Sequence, residues 1–169
     1  EPCYNMRRIH LRKKRFSEAV QAFEKALALR PAEAFALNNL GASYEGAGDM
    51  NKAAERYAQA SKLRPDNQAF ARNAGFAYLR LRQDAAALPF MESAAKGQPE
   101  QTTLMALGEL YSRLGRQRDA AKTLERIPEA ERKTVNYWFN LGVVRGKLND
   151  RAGAEQAYRR ALEIDSSDL

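Results

Sequence analysis

The run AFALNNLGASYEGAGDMNKAAERYAQASKLRP, residues 34–65, decides the fold. Its larger and tightly placed apolar residues fall at intervals of three and four: Leu37, Leu40 and Tyr44, then Ala53, Tyr57 and Ala60. Each set describes one buried stripe along a helix. Between the two stripes stand Gly48 and Asp49. Glycine accepts the left-handed conformation that ends a helix, and aspartate can cap the start of the next. Pro65 closes the run, because the residue before a proline avoids helical geometry. The stretch therefore reads as two helices joined by a tight turn.

Working outward, the same pattern returns along the whole chain. Gly41 is followed by Gly75, Gly108 and Gly142 at intervals of 34, 33 and 34 residues. Twelve residues after each comes an alanine (Ala53, Ala87, Ala120 and Ala154), and Ala19 extends this series backwards. Four further on sit Phe23, Tyr57, Met91, Leu124 and Tyr158, and three beyond those Ala26, Ala60, Ala94, Ile127 and Ala161. Prolines 31, 65 and 99 keep the period. A period of this length is the mark of a helical repeat in which each unit is one hairpin and neighbours bury a continuous core. Gly48 and Gly115 fit the turns, Asp49, Asp84, Asp119 and Asp150 are the expected caps of the second helices, and small pairs such as Gly41 with Ala53 are expected to let the helices approach closely.

These residues resemble the tetratricopeptide family. Its pattern appears in full once, as Leu37, Leu40, Gly41, Tyr44, Ala53, Tyr57, Ala60 and Pro65. The resemblance covers nearly the whole chain and implies an all-α, right-handed α-solenoid of about five stacked antiparallel helix-turn-helix hairpins. The units fall at about residues 1–33, 34–67, 68–100, 101–134 and 135–169 of a single repeat domain.

Departures from the pattern carry their own expectations. Met6, Arg7 and His10 replace leucine, glycine and tyrosine in the first unit, so its first helix is the least regular. Pro89 falls inside a helix, where it removes one backbone bond. Pro128 should end the second helix of the fourth unit near Ile127, and Arg145 replaces a tyrosine in the fifth. Tyr158 and Leu162 of the last hairpin are left partly uncovered, and the chain opens at Glu1 rather than at a methionine. The first points to a chain that continues or pairs there, the second to a processed protein or an excised fragment.

Catalysis finds little support. There is one histidine, one cysteine and no glycine-rich phosphate loop or nucleophile signature. Cys3 and His10 alone do not make a closed zinc site, and no metal or cofactor is expected. No run of 18 apolar residues is present, so no membrane-spanning helix is expected. Abundant alanine, arginine and leucine resemble the product of a GC-rich bacterial genome, with cytoplasm and periplasm both open as locations.

A binding role draws on the superposed units. By the resemblance, the first helix of each hairpin lines a concave groove. Asn5, Asn39, Asn73 and Asn140 share one register there, broken only by Ala106. An asparagine amide both donates and accepts and can bracket a peptide unit without reading its sequence. Asn38, Arg72 and Phe139 stand one position earlier, Phe76 and Glu109 three residues after, and Arg80, Arg113 and Lys147 a turn further along. With Phe35 they describe an amphipathic trough whose aromatic residues anchor and whose basic side suits an acidic peptide. The lysine–asparagine–arginine clamp that family members use for chaperone tails is not reproduced, so binding to such tails is not expected.

The leading expectation is thus a non-enzymatic protein-interaction adaptor that holds an extended or helical, acidic peptide segment. A structural assembly unit acting through its terminal hairpin is the first alternative. The net charge of +7 and the basic stretch Arg7–Arg15 allow a second, an RNA- or DNA-binding solenoid, although acidic residues are interspersed throughout.

Overall fold

The computed structural model describes the backbone of residues 2–167 and the side chains of residues 14–166. Among the described residues there are nine α-helices, one short 3₁₀ turn and no strand. The chain divides into two compact units, Glu1–Lys96 and Gly97–Leu169.

The first unit holds α1 (Pro2–Leu29), α2 (Ala34–Ala47), α3 (Met50–Leu63), α4 (Gln68–Arg80) and α5 (Asp84–Ala94). Here α2 with α3 and α4 with α5 are the expected hairpins, while one continuous helix stands where two were expected in residues 1–33. The turn position of that unit, five residues before Ala19, is Lys14, followed by Arg15. Neither favours a left-handed turn or caps a helix, and both are good helix formers, so the helix runs through. The second unit holds α6 (Gln101–Arg113), α7 (Gln117–Glu125), a 3₁₀ turn at Glu129–Glu131, α8 (Val135–Lys147) and α9 (Arg151–Ser167). The helix α7 ends two residues before Ile127, close to the expected stop at Pro128, and α5 continues past Pro89.

All four hairpin turns share one geometry. Gly48, Arg82, Gly115 and Asn149 each stand five residues before the repeat alanine and have φ of 96, 58, 76 and 64°. In each turn the next backbone N–H reaches back five residues, Asp49 to Tyr44, Gln83 to Tyr78, Arg116 to Tyr111 and Asp150 to Arg145. This is the Schellman closure of a helix. The following residue is the true N-cap of the second helix: Asp49, Gln83, Arg116 and Asp150. Asp49 accepts from the Lys52 N–H at 3.1 Å and Asp150 from the Gly153 N–H at 2.9 Å, as expected. The expectation for Asp84 and Asp119 is corrected: they lie inside the first turn of α5 and α7. The cap keeps a fixed distance of four residues from the repeat alanine, which Asp84 and Asp119 miss.

The close approach of the paired helices involves more than the expected glycine–alanine contact, which shows at Gly108, where a Cβ would lie 3.7 Å from the Ala120 carbonyl. Each repeat glycine also seats the large side chain sixteen residues later. A Cβ on Gly41 would lie 2.7 Å from Tyr57, on Gly75 2.5 Å from Met91, on Gly108 2.8 Å from Leu124 and on Gly142 2.6 Å from Tyr158. Ala53, Ala60, Ala87, Ala120 and Ala157 are wholly buried around these contacts. The packing of α1 on α2 follows the same logic, with the ring of Phe16 seated against Gly46.

Candidate functional site

In the first unit the first helices α2 and α4 lie side by side, and their exposed face carries most of the sequence-predicted residues. Asn73 Nδ2 donates to Asn38 Oδ1 at 2.8 Å, across 35 residues of sequence. That bond fixes the Asn73 amide and leaves its carbonyl oxygen and second N–H to other partners. Asn39, one register position along, is exposed, so the asparagines of successive units do not share one environment. Phe35 is 58% exposed and meets the buried Phe70 edge-on, with ring centroids 5.1 Å apart. Phe76 and Arg72 are half-buried on α4. Arg80 pairs with Glu45, whose other carboxylate oxygen accepts the Tyr57 hydroxyl at 2.9 Å. Glu45 was not among the sequence-predicted residues, although its position four residues before the cap would place it opposite Arg80.

In the second unit, α6 and α8 form the walls of a hollow of about 630 Å³. Met105 and Glu109 line it from α6, and Asn136, Phe139 and Asn140 from α8. A smaller hollow of about 220 Å³ adjoins it, bounded by Arg113, Val143 and Lys147. The predicted residues Glu109, Arg113, Phe139, Asn140 and Lys147 are thereby brought together. Phe139 is 53% exposed, its ring 5.9 Å from that of Tyr158. Arg113 Nη1 donates to Glu109 at 2.7 Å, and Lys147 Nζ lies 3.4 Å from Ser112 Oγ. The basic side of the trough is therefore partly matched from within: Arg80 and Arg113 each face a carboxylate of their own unit. Asn5 lies outside the described side chains, as do Cys3 and His10.

A hollow of about 710 Å³ was not foreseen. It opens in the first unit among α1, α2 and α3, and Leu27, Leu37, Leu40, Leu63, Glu24 and Arg56 line it. The signal in the sequence is Arg56 itself. The corresponding residues of the other hairpins, one before Met91, Leu124 and Tyr158, are Phe90, Thr123 and Ala157.

Helical hairpins of fixed period, seated glycine on large side chain and carrying their variable residues on exposed first-helix faces, define a repeat scaffold for binding other proteins. The pattern of the Tetratricopeptide repeat family matches residues 6–55, 38–102 and 105–168, and the chain belongs to that family. The fold is similar to that of YrrB, a tetratricopeptide-repeat protein with an unusual peptide-binding site. That likeness has a TM-score of 0.80 and 20% identity over 89% of this chain and 78% of YrrB. It is also similar to MamA, with a TM-score of 0.73 and 20% identity over 90% of both chains. MamA from Desulfovibrio magneticus RS-1 gives a TM-score of 0.74 and 19% identity over 97% and 93%. No curated protein matches the sequence. The family is in general a non-enzymatic protein-interaction repeat. Among the described residues no helix is long and apolar enough to cross a membrane.

Proposed function

We propose that the protein is an adaptor that holds an extended or helical peptide segment, with a preference for acidic segments, on its first-helix faces. The observation that carries this reading is the hollow between α6 and α8. There an exposed aromatic side chain, Phe139, stands beside amides of Asn136 and Asn140 and the carboxylate of Glu109. An apolar anchor among a few fixed polar groups is what a peptide site requires. In the first unit, the Asn38–Asn73 bond orients an amide on the α2–α4 face for a backbone ligand in the same way. The acidic preference draws on Arg113 and Lys147, where a peptide carboxylate would compete with Glu109 for the guanidinium. An affinity in the micromolar range corresponds to about −8 kcal/mol.

The test is nuclease-treated capture from source lysate with wild type, Asn39→Ala/Asn73→Ala and Phe139→Ala/Asn140→Ala. Titration calorimetry on the peptide mapped from a captured partner follows. Loss of one asparagine contact should weaken binding about fivefold, or ~1 kcal/mol. Equal affinity for all three proteins would remove the first-helix faces as the site.

A second reading is favoured by the outer face of α9, where Leu162 is 66% exposed near Tyr158. On this reading the last hairpin docks onto a further helix of the assembly. Leu162→Lys should then abolish an association seen by sedimentation without changing helix content, and a monomer at every concentration would count against self-assembly.

A further inference from the structure

The hollow among α1, α2 and α3 lies apart from the faces just discussed, and one residue of its lining, Arg56, departs from the repeat. In the next hairpin the place of Arg56 is taken by Phe90, which stacks on Tyr78 with ring centroids 5.6 Å apart and packs against the core. In the remaining two hairpins it is taken by the buried Thr123 and Ala157. Arg56 thus breaks a pattern that otherwise closes this position with small or apolar side chains. A local rule broken at one unit of a repeat is where function is expected.

The surroundings of Arg56 are specific. Its Nη1 donates to Gln59 Oε1 at 3.0 Å, which fixes the plane of the guanidinium. Its Nε is buried and has no hydrogen-bond partner among the described residues. That nitrogen is shielded from the hollow, and it is the residue's place in the lining that offers its guanidinium charge to an occupant. Leu27, Leu37 and Leu40 form the apolar floor, and Leu63 stands at the rim, 44% exposed. Lys62 adds a second positive charge to the lining, against one carboxylate, Glu24, which already accepts the Tyr44 hydroxyl.

We propose that this hollow is a second partner site, which takes an amphipathic segment of another protein carrying a leucine-sized side chain next to a glutamate or aspartate. The apolar side chain enters among Leu27, Leu37, Leu40 and Leu63, and the carboxylate pairs with the positive charge of Arg56 and Lys62 in the lining. The charge of the lining, two cations against one carboxylate, sets the sign of the occupant. A protein segment fits better than a free amphiphile because Gln59, Lys62 and Leu63 are exposed along the rim. An occupant would keep one side in water, whereas small-molecule sites enclose most of their ligand.

The probe is a synthetic helical peptide with leucines and glutamates on one face, compared with its glutamine counterpart and with decanoate. Binding is read by NMR on protein labelled at the leucine methyl groups. The glutamate peptide is expected to shift the Leu27, Leu37, Leu40 and Leu63 methyls and to bind about fivefold or more tightly than the glutamine peptide. Arg56→Gln should remove that difference, and Asn39→Ala/Asn73→Ala should leave it intact, so this site and the first-helix faces stand or fall separately. If Arg56→Gln lacks the helical circular dichroism of wild type, Leu63→Asp at the exposed rim takes its place and should abolish the methyl shifts. Equal binding of the two peptides by wild type, or methyls that do not move, overturns the proposal. Shifts with decanoate alone overturn the assignment of a protein segment.

Discussion

Gly41 seats the aromatic ring of Tyr57, so closely that a Cβ at position 41 would lie 2.7 Å from Cδ1 and 3.1 Å from Cγ. Tyr57 is buried and its hydroxyl is tied to Glu45, so the ring has little room to retreat. Gly41→Ala should therefore destabilise the protein by about 1–3 kcal/mol through overpacking, despite alanine's better helix propensity. At Gly75 a Cβ would meet the flexible thioether of Met91 at 2.5 Å and its backbone nitrogen at 3.3 Å, a smaller overlap, so Gly75→Ala should cost less, though not nothing. Urea unfolding of the two variants checks the order, and an equal cost would show that the ring yields as readily as the thioether.

The shared turn geometry gives a second comparison. Gly48 and Arg82 occupy equivalent positions with φ of 96 and 58°. An L side chain in that region costs about 1–2 kcal/mol, while glycine costs about 0.5–1 kcal/mol in chain entropy. Gly48→Ala should therefore destabilise by about 1 kcal/mol, and Arg82→Gly should be neutral or stabilising by up to about 1 kcal/mol. Denaturant midpoints at equal slope measure both; a clear loss in Arg82→Gly would mean that the Arg82 side chain makes a contact worth more than the strain.

The N-cap of α5 offers a gain. Gln83 makes no side-chain cap bond, whereas Asp49 and Asp150 at the same repeat position do. Gln83→Asp should stabilise by about 1 kcal/mol, read as a raised thermal midpoint. No change would place the α5 N–H groups beyond reach of a carboxylate at this position.

The hairpins were legible because glycine, alanine, large residue and proline recur at one period that only helix pairs satisfy. What the period could not tell was which residue the glycine faces: sixteen positions to Tyr57 rather than twelve to Ala53. The sequence shows the spacing but not the rotation of one helix against the other. The caps were half legible, since aspartates near a turn look alike until the fixed distance from the repeat alanine is imposed. In the candidate site, the faces of α2, α4, α6 and α8 were legible from register alone. The pairing of Arg80 with Glu45 and of Asn73 with Asn38 was not, because those bonds cross between hairpins.

Tyr44 links stability to pH. Its hydroxyl donates to Glu24, and that bond together with burial raises its pKa from 10.0 to about 12. Burial also raises Tyr57 and Tyr78. The unfolded chain releases these protons near pH 10 while the folded chain keeps them. The stabilisation is therefore complete below pH 10 and is lost as pH rises from 10 towards 12. Urea midpoints should fall steeply across that window, and less steeply in Tyr44→Phe. Identical slopes would mean that Tyr44 titrates alike in both states.

The ion pair between Glu109 and Arg113 bears directly on the preference for acidic segments. Arg113 Nη1 donates to Glu109 at 2.7 Å, and both residues line the hollows between α6 and α8. In wild type a ligand carboxylate competes with Glu109 for the guanidinium and is repelled by its charge. Glu109→Gln removes that competitor and one negative charge from the hollow, so a glutamate-rich peptide should bind about two- to fivefold tighter, the range of a partly exposed ion pair. The gain should shrink in high salt, because screening weakens the same charges. Titration calorimetry at two salt concentrations measures both effects. A peptide bound equally well by wild type and Glu109→Gln would place its carboxylates away from Arg113. The acidic preference would then have to come from another part of the protein.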